Sequence, residues 1–308
     1  MKKRAFTMIE VIIVIILFGI IASIGAQIIA KMYINYLQAR TINYLQSQSN
    51  IAVEQIAKRL QYRIKDTAVA RMTNATGDAI LPLNHQSVTA NFNVIEWIGY
   101  SNEAMLGNPP GWSGFIDLDG VNTNKSVGNG TLSTPGSNLT DANNTIKVLS
   151  NNTVDLNSIG SGSPAALIFR QKPAGFDPVN GYGWRNGVAD PNYLVQVRMR
   201  DSTTFDVVSK TPTSIFEHYY LAHTAYAISR EATGNADDFN LVLYYNYQPW
   251  SGGTWNSTTT SKAVLAEHVN LFRVNQVGNT VRIKLCLHDA EVSGAGRKLV
   301  ACKEEVIF

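Results

Sequence analysis

From Val11 to Ala26 the chain carries only apolar residues, two glycines and Ser23, and with Gln27 tolerated the run continues to Ala30 before Lys31. About twenty such residues, rising 1.5 Å each, span roughly 30 Å, the thickness of a bilayer's hydrocarbon core. The nearby positive charges, Lys2, Lys3 and Arg4, all lie on the N-terminal side. That asymmetry places the N-terminus in the cytoplasm and the rest of the chain beyond the membrane. A secretory signal has a shorter apolar core followed by a small-residue cleavage site. Here a small residue, Ala5, precedes the run instead. Cleavage there leaves the apolar helix on the mature chain. Glu10 sits at the edge of the run, where a carboxylate is costly and marks function.

After Lys31 the apolar spacing changes. Tyr33, Leu37, Tyr44, Ile51, Ile56, Leu60 and Ile64 recur near helical intervals, with Gln38, Asn43, Gln46, Asn50, Glu54 and Lys58 between them. This reads as one face of an amphipathic helix. No Pro or Gly interrupts Ala26 to Thr76. One helix from Thr7 to about Asp66 would be roughly 90 Å long. Its second half needs a sheet or another helix over its stripe.

These N-terminal residues closely resemble the prepilin signature of type IV pilins and type II secretion pseudopilins. The matching elements are the basic leader Lys2-Lys3-Arg4, the small residue Ala5, then Phe6-Thr7-Met8-Ile9-Glu10 and the apolar helix. Ala5 stands where the family usually has Gly. The resemblance implies cleavage between Ala5 and Phe6 by prepilin peptidase and N-methylation of Phe6. It implies that Glu10 guides docking against the free amine of a neighbour's Phe6. It also implies as partners other pilins or pseudopilins, an inner-membrane assembly platform and membrane lipid, and a head in the periplasm. The text from Phe216 to Leu221, Phe239 to Tyr245 and Ala263 to Val274 is similar to larger minor pilins and J-type minor pseudopilins, which seed or cap filaments. Glu10 argues against a K-type tip pseudopilin, which lacks that carboxylate. Around Glu267-His268-Val269 the chain is expected to leave one strand and enter the next.

The expected fold class is α+β, with the long helix laid on an antiparallel sheet. Its parts are a leader (1–5), a membrane or filament-core helix (6–30), an amphipathic half (31–70) and a β-rich head (71–308). The head divides into a loop-rich insertion (71–163) and a main antiparallel sheet (164–308). Strand signals lie at 88–98, 165–170, 193–200, 205–209, 219–230, 239–247, 269–276, 280–287 and 299–308, where β-branched and aromatic residues partly alternate. Asn275 to Asn279 reads as a hairpin turn. Cys286 and Cys302 read either as one disulfide or as two free thiols. An even pair in an exported chain favours the bridge.

Charged residues are only 16% of the chain against 45% hydrophobic, so a sizeable core can form. Of 26 Lys and Arg, three lie in the leader, so the mature chain has 23 against 23 Asp and Glu. A nucleic-acid footprint needs a dense basic surface, so direct DNA or RNA binding is not expected.

Other motifs leave alternatives open. Asp117, Asp119 and Asn122 space oxygen ligands as a weak calcium loop or as an ordinary turn. The EF-hand wants Gly sixth and Glu twelfth, whereas Gly120 is fourth and Gly128 twelfth. Asp141-Ala-Asn143-Asn-Thr145 fits an acidic N-glycosylation sequon at Asn143. Trp112, Trp184, Trp250 and Trp255 lie near glycines, as a glycan-contacting patch or as core plugs. A tip adhesin using the Asn/Gly/Trp-rich insertion, including 122–136, is the alternative function. His218 and His223 fall on opposite faces of a strand. No HExxH, GxSxG or P-loop is present, and neither an enzyme nor a cofactor is expected.

Overall fold

The computed structural model describes residues 7–73, 78–89, 91–124, 130–157, 162–210, 212–235, 238–289 and 298–308. Helix α1 (Met8–Gln61) is followed by strands β1 (Val69–Met72), β2 (Ala79–Pro82) and β3 (Val94–Gly99). Then come α2 (Asn102–Met105), β4 (Thr131–Ser133), α3 (Leu139–Leu149), β5 (Ala165–Phe169) and α4 (Pro178–Gly181). Strands β6 (Leu194–Asp201), β7 (Thr204–Val207), β8 (Tyr219–Ala222) and β9 (Thr224–Ala232) follow. The chain closes with β10 (Phe239–Tyr247), β11 (Ser261–Val277), β12 (Thr280–His288) and β13 (Val300–Ile307). The long helix on an antiparallel sheet makes this a pilin-like α+β fold.

The strands form two antiparallel sheets, ordered β13-β12-β11-β10-β9-β3-β1-β2 and β4-β7-β6-β5-β8. Segment 164–308 therefore does not build one sheet, and 71–163 is more than a loop-rich insertion. It supplies β2 and the central strand β3 to the larger sheet and packs α3 on the smaller one. The reason is two-sided burial. Every residue of β5 is apolar and buried, so each of its faces needs a cover. Ala166 and Ile168 pack with Val94, Ile98 and Val242 of the large sheet. Ala165, Leu167 and Phe169 pack with Leu139, Ala142 and Ile146 of α3. Strand β3 does the same in the other sheet. Ile95 and Trp97 join the core under α1, while Val94 and Ile98 face the small sheet. The order is thus helix, large sheet, small sheet, helix.

The expected strand over 219–230 is two strands, β8 and β9, in different sheets, separated by His223. The chain crosses between layers there. The expected break at Glu267–Val269 is a bulge inside the continuous strand β11, with His268 at φ 55°. The β11–β12 turn is the two-residue Gly278-Asn279, where Gly278 takes φ 58° without a Cβ penalty.

The stripe on α1 that meets the sheet is Leu45, Ser49, Ala52, Val53, Ile56 and Leu60. Tyr33, Leu37, Tyr44 and Ile51 of the expected stripe are exposed. Leu45 and Ala52 continue the 3.6-residue period that Tyr44 and Ile51 miss by one position. The last turn is fixed by Arg63, only 3% exposed, whose Nη1 donates to Leu60 O at 2.7 Å and Nη2 to Asn279 O at 2.5 Å. It joins the helix end, where carbonyls lack intrahelical partners, to the β11–β12 turn. A second buried network sets the register of β1 and β3. Arg71 Nε donates to Glu96 Oε1 at 2.6 Å, and the Tyr247 hydroxyl to Glu96 Oε2 at 2.9 Å.

Cys286 and Cys302 face each other across β12 and β13 and form a disulfide. With the two half-cystines 16 positions apart in the chain, the loop-entropy model assigns the bridge about 3 kcal/mol. Replacing both cysteines by serine should lower the unfolding free energy by about that amount in denaturant titration.

Candidate functional site

The apolar half of α1 is the candidate site, because the fold leaves it uncovered. From Met8 to Tyr36 nearly every side chain is exposed, including the large residues Ile12, Ile16, Phe18, Ile21 and Ile28. The head first buries a helix residue at Leu45. Lys31, Tyr33 and Tyr36 follow the apolar run and stand free. Tyrosines at that position suit a membrane–water interface. Among the described residues, α1 is the one helix long and apolar enough to cross a membrane.

The helix begins at an N-cap, Thr7, with Glu10 at the third helical position. Glu10 Oε2 accepts hydrogen bonds from the Thr7 backbone N–H at 2.9 Å and from its hydroxyl at 2.8 Å. In an isolated chain the carboxylate therefore caps its own helix, satisfying a donor that has no intrahelical partner. Ala5 and Phe6 lie outside the described residues, as does the leader.

The other candidate residues do not gather into a site. Asp117 Oδ1 accepts from Asp119 N–H at 3.2 Å, and Asp117 O accepts from the Thr123 hydroxyl. Asn122 O accepts from the Thr131 hydroxyl at 2.7 Å. These are the bonds of a turn. No three His, Cys, Asp or Glu side chains among the described residues gather to hold a metal ion. Asn143 is overturned as a glycan acceptor in the folded chain. It is buried on α3, its Nδ2 donating to Asp155 Oδ1 at 3.0 Å and its Oδ1 accepting from Leu156 N–H at 2.7 Å. Both ends of the amide are used inside.

The tryptophans do not form a surface patch. Trp112, Trp184 and Trp250 are core residues, and Trp255 packs edge-on against Tyr244 at 5.1 Å. The neighbouring glycines allow close backbone approach. A Cβ on Gly183 would lie 2.8 Å from Pro249 O, a distance that real Cβ atoms do not reach. Segment 122–136 also contains β4, whose Leu132 is fully buried. It is part of the smaller sheet's core.

One pairing had no sequence signal: Ser101 and His223 are 122 residues apart, yet Ser101 Oγ lies 2.7 Å from His223 Nδ1. A nucleophile beside a base has catalytic geometry, but Ser101 is fully buried and His223 is 5% exposed. The pair is an internal hydrogen bond between the layers. Burial drives the imidazole down to about 4 from its ordinary 6.5, because the cation would lose its water.

Residues 1–26 match the model of the prokaryotic N-terminal methylation motif. The match takes in Ala5, Phe6, Glu10 and the apolar run to Ala26, and it supports a pilin- or pseudopilin-type N-terminus. No curated protein and no solved structure matches the chain.

The buried histidine sets a pH dependence. The folded state holds His223 neutral, so its contribution is complete above pH 6.5 and is lost as pH falls toward 4. In that window the unfolded chain takes up a proton that the folded chain refuses. Unfolding free energies measured across it should fall by about 3 kcal/mol for the wild type. His223→Gln should remove that part of the slope.

Proposed function

We propose that this chain is a minor pilin or pseudopilin subunit that enters a type IV pilus or type II secretion pseudopilus through α1 and initiates or caps the filament. The observation that carries this reading is a helix whose apolar half has no cover in its own head, within a matched methylation motif. Each large apolar side chain left in water costs about 1.5–3 kcal/mol relative to burial. More than a dozen are exposed between Met8 and Ile34. Only lipid or a bundle of similar helices removes that cost. In this reading residues 6–30 first sit in the bacterial inner membrane, N-terminus cytoplasmic and head periplasmic, and then in the filament core. Prepilin peptidase cuts between Ala5 and Phe6, and Phe6 is N-methylated.

Glu10 then exchanges one partner for another. In the single chain it caps Thr7; in the filament it meets the amine that cleavage exposes on a neighbour's Phe6. A charge in a low-dielectric interior is tolerated only when paired, so the incoming amine outcompetes the neutral donors of Thr7. The machine supplies the assembly platform and the other subunits.

Glu10→Ala removes both roles, whereas Glu10→Gln keeps an acceptor for the cap and discards the charge. Both variants should insert in the membrane with a folded, disulfide-bonded head. Recovery in sheared or cross-linked filaments should drop by about tenfold or more for each, as expected for an unpaired buried amine. Wild-type incorporation of the Gln variant would refute the charge pairing. Mass-spectrometric reading of the mature terminus should find methylated Phe6.

A further inference from the structure

Strand β5 of the smaller sheet is followed by an exposed arginine that, among the described residues, forms no ion pair, although Glu217 lines the same notch. Arg170 directly follows β5, and its guanidinium lies 4.9 Å above the ring of Tyr220. Tyr220 stacks on Tyr100 at 5.3 Å, and Tyr100 meets Tyr62 edge-on at 5.7 Å. The aromatic stack gives the guanidinium a surface to rest on. Among the described residues its N–H groups donate to no carboxylate or carbonyl; the ring contact is its packing. A guanidinium resting on an aromatic ring, with no ion pair of its own, keeps N–H groups with which to meet a planar anion.

Beside it lies a notch of about 450 Å³. Leu118, Ile215 and Phe216 form its apolar wall, and Gln171, Glu217 and His218 its polar rim. Phe216 is held edge-on against the core residue Phe169 at 5.9 Å, so the wall is anchored. Pockets of this size take small ligands with a few placed polar contacts. An apolar wall suits the C–H face of a sugar ring, the rim offers partners for hydroxyls, and Arg170 offers the cation for a carboxylate.

The notch also lies far from the membrane helix. Tyr62 caps the C-terminal end of α1, and a 54-residue helix is about 80 Å long. The ring-to-ring steps from Tyr62 to Arg170 are each under 6 Å. The site is therefore at the end of the subunit opposite the lipid-facing segment.

We propose that this notch binds an acidic sugar ring, with Arg170 receiving the carboxylate and Phe216 and Ile215 receiving the ring. The inference stands independently of filament entry, since none of these residues touches the apolar half of α1.

The test uses the full chain in detergent micelles, with a galacturonic acid disaccharide as probe and the neutral galactose disaccharide as control. Saturation-transfer NMR should show contact with the acidic probe at millimolar concentration and little with the neutral one. Arg170→Met, which keeps the stem over Tyr220, should weaken binding by about tenfold, the size expected for one charged hydrogen-bonding partner. Arg170→Lys should weaken it too, because the fork is lost. Ile215→Ser should reduce transfer to the ring protons. Melting curves matching the wild type certify that the variants fold. No transfer to the acidic probe, equal transfer to both probes, or unchanged binding by folded Arg170→Met would each overturn the proposal. So would binding of a peptide C-terminus in place of the sugar. Filament recovery of the Arg170 variants should match wild type, which separates this result from the Glu10 experiments.

Discussion

The helix α1 is longer than its own head can cover, and that mismatch governs the molecule. The sheet buries a stripe from Leu45 to Leu60 and stops. Everything toward the N-terminus is apolar and unmatched. A protein that kept this segment in water would pay a hydrophobic penalty larger than the whole stability of an ordinary domain. The part of the helix that the head leaves uncovered is also where the methylation motif lies. The bonds from Thr7 to Glu10 satisfy one backbone N–H at a terminus that the head does not reach.

The head is built to be rigid beneath that helix. Two sheets share one core and each has a second face covered by a helix. Several polar groups inside are matched: Arg71 with Glu96 and Tyr247, Ser101 with His223, Asn143 with Asp155 and Leu156. Such pairs cost desolvation but penalise misaligned strands, since a shift of register would strand a buried charge or amide. The disulfide holds β13, the edge strand that contacts α1, to β12.

Features written in consecutive residues were legible. The apolar run, the long uninterrupted helix, the turn at Gly278-Asn279, the cysteine pair and the end, though not the start, of the strand expected over 88–98 and found at Val94–Gly99 all depend on local pattern. Features that depend on which layer a strand joins were not. β8 and β9 read as one strand because nothing in Tyr219 to Arg230 announces that the chain changes sheets at His223. Ile56 and Leu60 of the helical pattern meet the sheet, but Tyr33 and Tyr44 do not, because aromatic character marks an interface with lipid as readily as one with a sheet. Asn143 matched an acceptor motif whose chemistry needs exposure, and three-dimensional burial removed it. Ser101 with His223, and Arg170 with Tyr220, join residues far apart in the chain, and no spacing rule finds such pairs.

Arg63 gives the molecule a mechanical character. It is buried at the end of α1 and bonds both the helix and the turn between two sheet strands. A pull on the N-terminus travels along the helix axis. The contacts from Leu45 to Leu60 then bear that load side by side, in shear, rather than unzipping one after another. The bolt at Arg63 stops the far end from swinging out. Tension applied to the exposed half of the helix therefore enters the head through a joint loaded along its length, as a rivet carries load between two plates.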